Sequence, residues 1–193
     1  NYKGPVDKQG LPDHQALQKE RLAEVVGFYC GLTSTMDRAF ELVKFYKQQN
    51  ALVVAGGWHV HYCPEEALTN GIDIVVHGEG ENAIRMILDN KSRGVSLDQI
   101  PGISFLDNGQ PRRNPPERLE IPDLCGLPYP DFGLLRYARK IKYYPISWTR
   151  GCSANCEFCS VIGRPRWSIP EHLFETVNWL VQTRDAKRFF IVD

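Results

Sequence analysis

Short, wholly apolar runs alternate with longer amphipathic stretches along the first half of the chain. Residues 24–30 read as a buried strand, and residues 52–55 and 72–76 read the same way. Between the first two, residues 36–49 carry Ala39, Phe40, Leu42, Val43, Phe45 and Tyr46 at helical spacing, with Asp37 in the first turn and Lys47 in the last. The hydroxyl-rich loop before them, Gly31-Leu32-Thr33-Ser34-Thr35, is expected to cap this helix. A short helix is expected at residues 64–68, closed by Asn70-Gly71. Residues 81–90 form another amphipathic helix through Ala83, Ile84, Met86, Ile87 and Leu88. Apolar strands separated by helices predict a parallel sheet covered on both faces.

The pattern then changes. Ile103-Ser104-Phe105-Leu106-Asp107, Asn108-Gly109 and Gln110-Pro111-Arg112-Arg113 make a hairpin signal. The proline-rich stretch 115–130 reads as an extended connector. A strand at 144–149 precedes a loop at 151–160. A helix from about 170 to 183 follows, opened by Ile169-Pro170-Glu171 and striped by Leu173, Phe174, Val177, Leu180 and Val181, and then a strand at 189–192. This strand–loop–helix–strand order is that of the first βαβ unit of a parallel barrel, with its loop on the carboxyl edge. The expected class is therefore α/β: a Rossmann-like parallel sheet over residues 1–120, a linker at 121–140, and the start of a TIM-like barrel at 141–193.

In open α/β sheets, ligands bind beyond the carboxyl ends of the strands. Here those ends are Gly31 to Thr35, Gly56-Gly57 and Gly78-Glu79-Gly80, where glycine allows close backbone approach. None of these is a G-x-G-x-x-G fingerprint, and each alone also reads as a tight turn.

Composition narrows the function classes. Lys plus Arg and Asp plus Glu both number 23, so net charge is zero and no basic block suggests nucleic acid. The cluster of Arg136, Arg139, Lys140 and Lys142 reads as a solvated face. No apolar run spans a bilayer and no signal peptide opens the chain, so a cytoplasmic enzyme is expected. Cys30, Cys63 and Cys125 lack disulfide-framework spacing and read as plain thiols.

The most specific chemistry lies in Gly151-Cys152-Ser153-Ala154-Asn155-Cys156-Glu157-Phe158-Cys159, a C-x-x-x-C-x-x-C spacing. Three thiols are one short of a structural zinc site. Iron–sulfur cubanes take four thiolates, so three leave one iron open. Free thiols, or half of a split zinc site, are the alternatives. The spacing, with Phe158 before the last cysteine, resembles the signature loop of the radical S-adenosylmethionine (radical SAM) superfamily. That resemblance implies a four-iron four-sulfur cluster held by Cys152, Cys156 and Cys159. S-adenosylmethionine would sit on the fourth iron and Phe158 near its adenine, and the reduced cluster would generate a deoxyadenosyl radical.

Gly56-Gly57-Trp58-His59, Pro64-Glu65-Glu66-Ala67-Leu68, Val75-Val76-His77-Gly78-Glu79-Gly80-Glu81 and Leu127-Pro128-Tyr129-Pro130-Asp131-Phe132 resemble the amino-terminal part of the cobalamin-dependent radical SAM enzymes. The resemblance implies cobalamin at the glycine edge, with Ser34, Thr35, Gly56, Gly57, Gly78, Glu79 and Gly80 as candidate contacts. No D-x-H-x-x-G loop supplies a lower cobalt ligand, since Asp13-His14 has the wrong spacing, which argues against a lower histidine; His59 and His61 remain as candidates for contact with the corrin or cobalt. The implied reaction is methyl transfer to an unactivated carbon of a small-molecule or natural-product substrate. The implied electron donor is a protein such as flavodoxin or ferredoxin. Oxidative cyclisation or rearrangement is one alternative, and a non-catalytic corrinoid or iron–sulfur binding module is another. No catalytic side chain is assigned. Because the chain opens at Asn1 and stops at a strand-like Phe189-Phe190-Ile191-Val192-Asp193, it is expected to be a fragment of a longer enzyme, with the contact to the SAM amino group beyond Asp193.

Overall fold

The computed structural model describes residues 2–94, 96–115, 124–137, 141–154, 156–159 and 165–192. Asp193, Arg139, Lys140 and parts of the expected linker and cysteine loop lie outside the described residues. The chain divides into two compact units, residues 21–119 and residues 1–20 with 120–193. The opening segment, with helix α1 (His14–Glu20), therefore groups with the later unit and not with the α/β unit that the sequence pattern assigns it to.

The unit 21–119 is an α/β sheet. Its elements are β1 (Val25–Tyr29), α2 (Met36–Gln48), β2 (Leu52–Gly56), α3 (Trp58–Tyr62), α4 (Pro64–Thr69), β3 (Ile74–Val76), α5 (Glu81–Arg93), β4 (Ile103–Asp107) and β5 (Gln110–Arg113). Strand order is β1-β2-β3-β4-β5, with β1, β2 and β3 parallel. The predicted hairpin joins the β3 edge antiparallel, so the sheet is mixed and parallel-dominated.

Alternation along the strands fills both faces. Val53, Ala55 and Val75 pack with Val43 and Tyr46 of α2, Val60 of α3, and Ala67 and Leu68 of α4. Val54, Ile74 and Val76 face the other way, onto Ala83 and Ile87 of α5 with Ile103 and Phe105. That two-sided burial is what continuous apolar strands require. Strand β1, read as buried, is instead the sheet edge: among the described residues only one side is paired, and Tyr29 is 82% exposed. Lys47 and the Val53 N–H both bind the Asp73 carboxylate, at 2.6 and 2.8 Å, fastening the end of α2 to the strand ends.

In the other unit, β6 (Tyr144–Ile146) pairs parallel with β9 (Phe189–Ile191) across helix α6 (Pro170–Arg184), the expected βαβ unit. The predicted 144–149 strand breaks. Its end, β7 (Thr149–Arg150), leaves to pair antiparallel with β8 (Arg166–Trp167). The stripe on α6 is only partly used: Leu180 is buried and Leu173 and Val177 pack beside it, while Phe174 is 67% exposed. The described part of the expected linker is not extended but packs on α6. Tyr129 donates to Glu175 at 2.7 Å and stacks on His172, Arg184 reaches the Phe132 carbonyl, and Phe132 meets Tyr144 edge to face. The opening segment is tied in by Lys3 N–H to the Tyr137 carbonyl and by Arg136 and Tyr137 to Glu20.

Candidate functional site

Backbone bonds lace the carboxyl ends of β1 and β2 together. Cys30 N–H donates to the Gly56 carbonyl at 2.6 Å, and His59 N–H donates to the Cys30 carbonyl at 3.0 Å. Gly57 stands in that crossing at φ 112°, where an added Cβ would lie 2.7 Å from the Cys30 carbonyl carbon. Glycine is demanded there by the backbone itself. Gly56 is different, since an added Cβ would meet only the Val76 carbonyl, at 3.7 Å. At Gly78 (φ 78°) and Gly80 an added Cβ would meet nothing within 4 Å, and Glu79 between them is half-buried. The open part of this edge is thus the exit of β3 and the end of β2.

The hydroxyl loop behaves otherwise than expected. Thr35 occupies the position before α2 without a side-chain cap. Its Oγ1 donates back to the Leu32 carbonyl at 2.8 Å, closing the 3-10 turn Thr33–Thr35, and Ser34 is exposed. The residue with a wider role is Thr33. Its Oγ1 lies 3.0 Å from His59 Nδ1, and His59 Nε2 lies 2.9 Å from a Glu66 carboxylate oxygen. Both ring nitrogens of His59 are engaged within the chain, Nδ1 by Thr33 and Nε2 by Glu66.

His61 leads to a group that sequence reasoning missed. Its Nδ1 is 3.4 Å from His77 Nδ1, and His77 Nε2 is 2.8 Å from Ser104 Oγ, whose side chain is buried in β4. Burial, then the Arg113 charge, then His61 push the His77 imidazole down to about 4. Burial and Arg113 also lower His61. Beside them opens a cavity of about 480 Å³ lined by His61, Tyr62, Cys63, Pro64, Glu65 and Arg113. A signal for this was present: a titratable residue directly after a wholly buried strand, with an arginine closing the hairpin next to it.

The cysteine loop lies in the other unit. β7 and β8 pair at its base, Ser168 N–H adds a bond to the Trp148 carbonyl, and Gly151 turns the chain at φ 87°. Cys152, Cys156 and Cys159 are all exposed and unoxidised. Ala154 N–H donates to Cys152 Sγ at 3.4 Å, and Cys159 N–H to the Cys156 carbonyl at 3.0 Å. The Phe158 ring is 93% exposed. Cys125 lies near β8, its Sγ accepting from Ile169 N–H at 3.4 Å.

Residues 8–88 match the B12 binding domain family. The chain is 37% identical over 145 residues to an uncharacterized methyltransferase of Pyrococcus horikoshii, covering 71% of this chain and 31% of that protein. It is 30% identical over 173 residues to a cobalamin-dependent radical SAM methyltransferase of Streptomyces tokunonensis, covering 81% of this chain and 25% of the relative. The chain thus spans less than a third of either relative's length. Among solved structures, the cobalamin-dependent S-adenosylmethionine radical enzyme OxsB, with aqua-cobalamin and S-adenosylmethionine bound, superposes at a TM-score of 0.75 with 18% identity. That match covers 93% of this chain and 26% of OxsB, a likeness of fold. With a B12 binding domain match at residues 8–88 and, later in the sequence, a C-x-x-x-C-x-x-C loop on a βαβ unit, the chain is similar to the cobalamin-dependent radical SAM enzymes.

Proposed function

We propose that this chain binds cobalamin at the glycine edge of its sheet and an iron–sulfur cluster at its cysteine loop, and serves radical SAM methylation of a small molecule. The observation that carries the reading is the set of unpaired, exposed thiols of Cys152, Cys156 and Cys159 on a loop held at its base by strands. The donor set fits a cubane with one iron left for S-adenosylmethionine. At the other site, the room above Gly56, Gly78 and Gly80 fits a broad ligand that side chains would displace.

When bound, these groups would supply the electron that cleaves S-adenosylmethionine and a transferable methyl. The chain's own residues hold and tune them. Cys152, Cys156 and Cys159 would ligate the cluster, and the Ala154 N–H on Cys152 Sγ is a hydrogen bond of the kind that sets cluster potential. Phe158 would cover the adenine, and Ser34, Thr35 and Glu79 would border the corrinoid. The low basicity of His77 keeps that ring neutral, so it offers hydrogen bonds without adding positive charge at the edge. Reduction would come from a protein such as flavodoxin or ferredoxin. Among the described residues no helix is long and apolar enough to cross a membrane.

Two binding measurements test the reading. After anaerobic reconstitution the protein should hold about four irons per chain, and Cys152→Ala, Cys156→Ala and Cys159→Ala together should abolish them. Gly80 has an ordinary φ of −91° and open space, so Gly80→Leu should keep the protein folded, at a cost of about 1 kcal/mol for a poorer helix cap, while weakening hydroxocobalamin binding. A full complement of iron in the triple variant would remove the cluster assignment. Unchanged corrinoid affinity in Gly80→Leu would move the ligand away from the β3 exit.

A further inference from the structure

We propose that His59, Cys63 and Glu66 form a binding site for a divalent transition metal, with zinc the best match to the donors. One ligating atom from each lies within 4.8 Å of the other two. Tetrahedral zinc, with bonds of about 2.0–2.3 Å to nitrogen, oxygen and sulfur, places its ligands about 3.3–3.7 Å apart. His59 Nε2 and Glu66 Oε2 stand at 2.9 Å, so side-chain adjustments of about an ångström around the ion would complete the set.

The local chain builds the cluster from a broken pair of helices. His59 in α3 lies one turn before Cys63, whose N–H closes on the His59 carbonyl at 2.9 Å. Cys63 leaves helical geometry at φ −122° and ψ 54°, and Pro64 starts α4, which places Glu66 in its first turn. Imidazole ligands of metals almost always give their second nitrogen to a hydrogen-bonding partner that fixes the ring. Thr33 Oγ1 already holds His59 Nδ1 in that way, leaving Nε2 toward Glu66 and Cys63. Cys63 and Glu66 are exposed, so an ion has access from solvent, while the His59 side chain is only 7% exposed and its position is set by packing. An imidazole, a thiolate and a carboxylate are a zinc-type donor set, and three protein ligands leave a fourth position for water or an anion.

This site is distinct from the cysteine loop and does not depend on the corrinoid reading. Its test uses the full chain carrying Cys152→Ala, Cys156→Ala and Cys159→Ala, which removes the loop thiols as competitors, without corrinoid. Titration with cobalt(II) as probe should give one ion per chain and a thiolate-to-metal charge-transfer band in the near ultraviolet, displaced by one equivalent of zinc. Cys63→Ser, a conservative change at an exposed position, should abolish the band and weaken zinc binding by more than about 100-fold. Thr33→Val should weaken it by about 10- to 100-fold, as loss of an orienting partner does. Cobalt(II) binding without the band, unchanged affinity in Cys63→Ser, or the absence of stoichiometric binding by the folded protein would each overturn the proposal. None of these readouts involves iron or cobalamin, so such a failure leaves the proposed function untouched.

Discussion

Gly57 and Gly56 are neighbours in sequence and opposites in consequence. At Gly57 an added Cβ would press on the Cys30 carbonyl group, and its φ of 112° is already hostile to any side chain. Strain of this kind costs about 1–3 kcal/mol before the collision is counted. Gly57→Ala should therefore lower stability by about 3 kcal/mol or more in urea unfolding, and Gly56→Ala by less than about 1 kcal/mol. Equal unfolding midpoints for the two variants would show that the β1 and β2 exits do not cross as described. The pairing also guards against misreading ligand binding, since loss of cobalamin in a Gly57 variant would follow from a displaced loop.

His77 gives a second residue-scale outcome. Its ring should titrate near about 4 when followed by nuclear magnetic resonance, and Arg113→Gln should raise that midpoint toward 6.5 by removing a nearby positive charge. An unfolded imidazole takes its proton near 6.5, so this group contributes stability at neutral pH that is lost as pH falls from there toward 4. A midpoint close to 6.5 in the folded protein would mean the ring is solvated. The histidine was visible in the sequence as part of His77-Gly78-Glu79-Gly80, yet its partners were not. Ser104 and Arg113 reach it only because the hairpin folds back antiparallel beside β3, a pairing that periodicity does not specify.

At the scale of elements, helices α2, α4, α5 and α6 and the hairpin were legible because their apolar spacing or turn residues are local properties. Helix α3 was not, since five residues with two histidines and a tyrosine carry no apolar stripe. The split of residues 144–149 into β6 and β7 was equally hidden. Both halves suit a strand, and only the partners, β9 for one and β8 for the other, separate them. The proline-rich stretch misled for a related reason. Proline forbids helix but says nothing about whether neighbouring aromatics dock, as Tyr129 and Phe132 do. The three cysteines, by contrast, lie within one short stretch, so a ligand set can be proposed from their spacing without knowing any tertiary pairing.

Across the whole molecule, burial is unequal. β2 has strand neighbours on both sides and helices on both faces, with Val53 and Ala55 almost wholly inaccessible. Among the described residues β6 and β9 have only each other as strand partners, and Phe190 and Ile191 are 62% and 64% exposed. Amide exchange should follow that contrast, with Val53, Val54 and Ala55 slower than Tyr144, Ile146 and Phe189 by about 100-fold or more. Comparable rates in the two sheets would show that the later unit draws stability from contacts other than its own strands.

The short ladder between β7 and β8 bears on the order in which the protein is assembled. Thr149–Arg150 and Arg166–Trp167, which bracket the 15 residues of the cysteine stretch, are already joined by polypeptide hydrogen bonds. Closing a flexible loop of that length costs about 2 kcal/mol in entropy by its length dependence alone. Since the strands meet that cost, an arriving metal centre need not fold the chain around itself as zinc does in a zinc finger. If the loop holds the proposed cluster, the polypeptide would be a receptor shaped first and charged afterwards, one that could be emptied and refilled without unfolding.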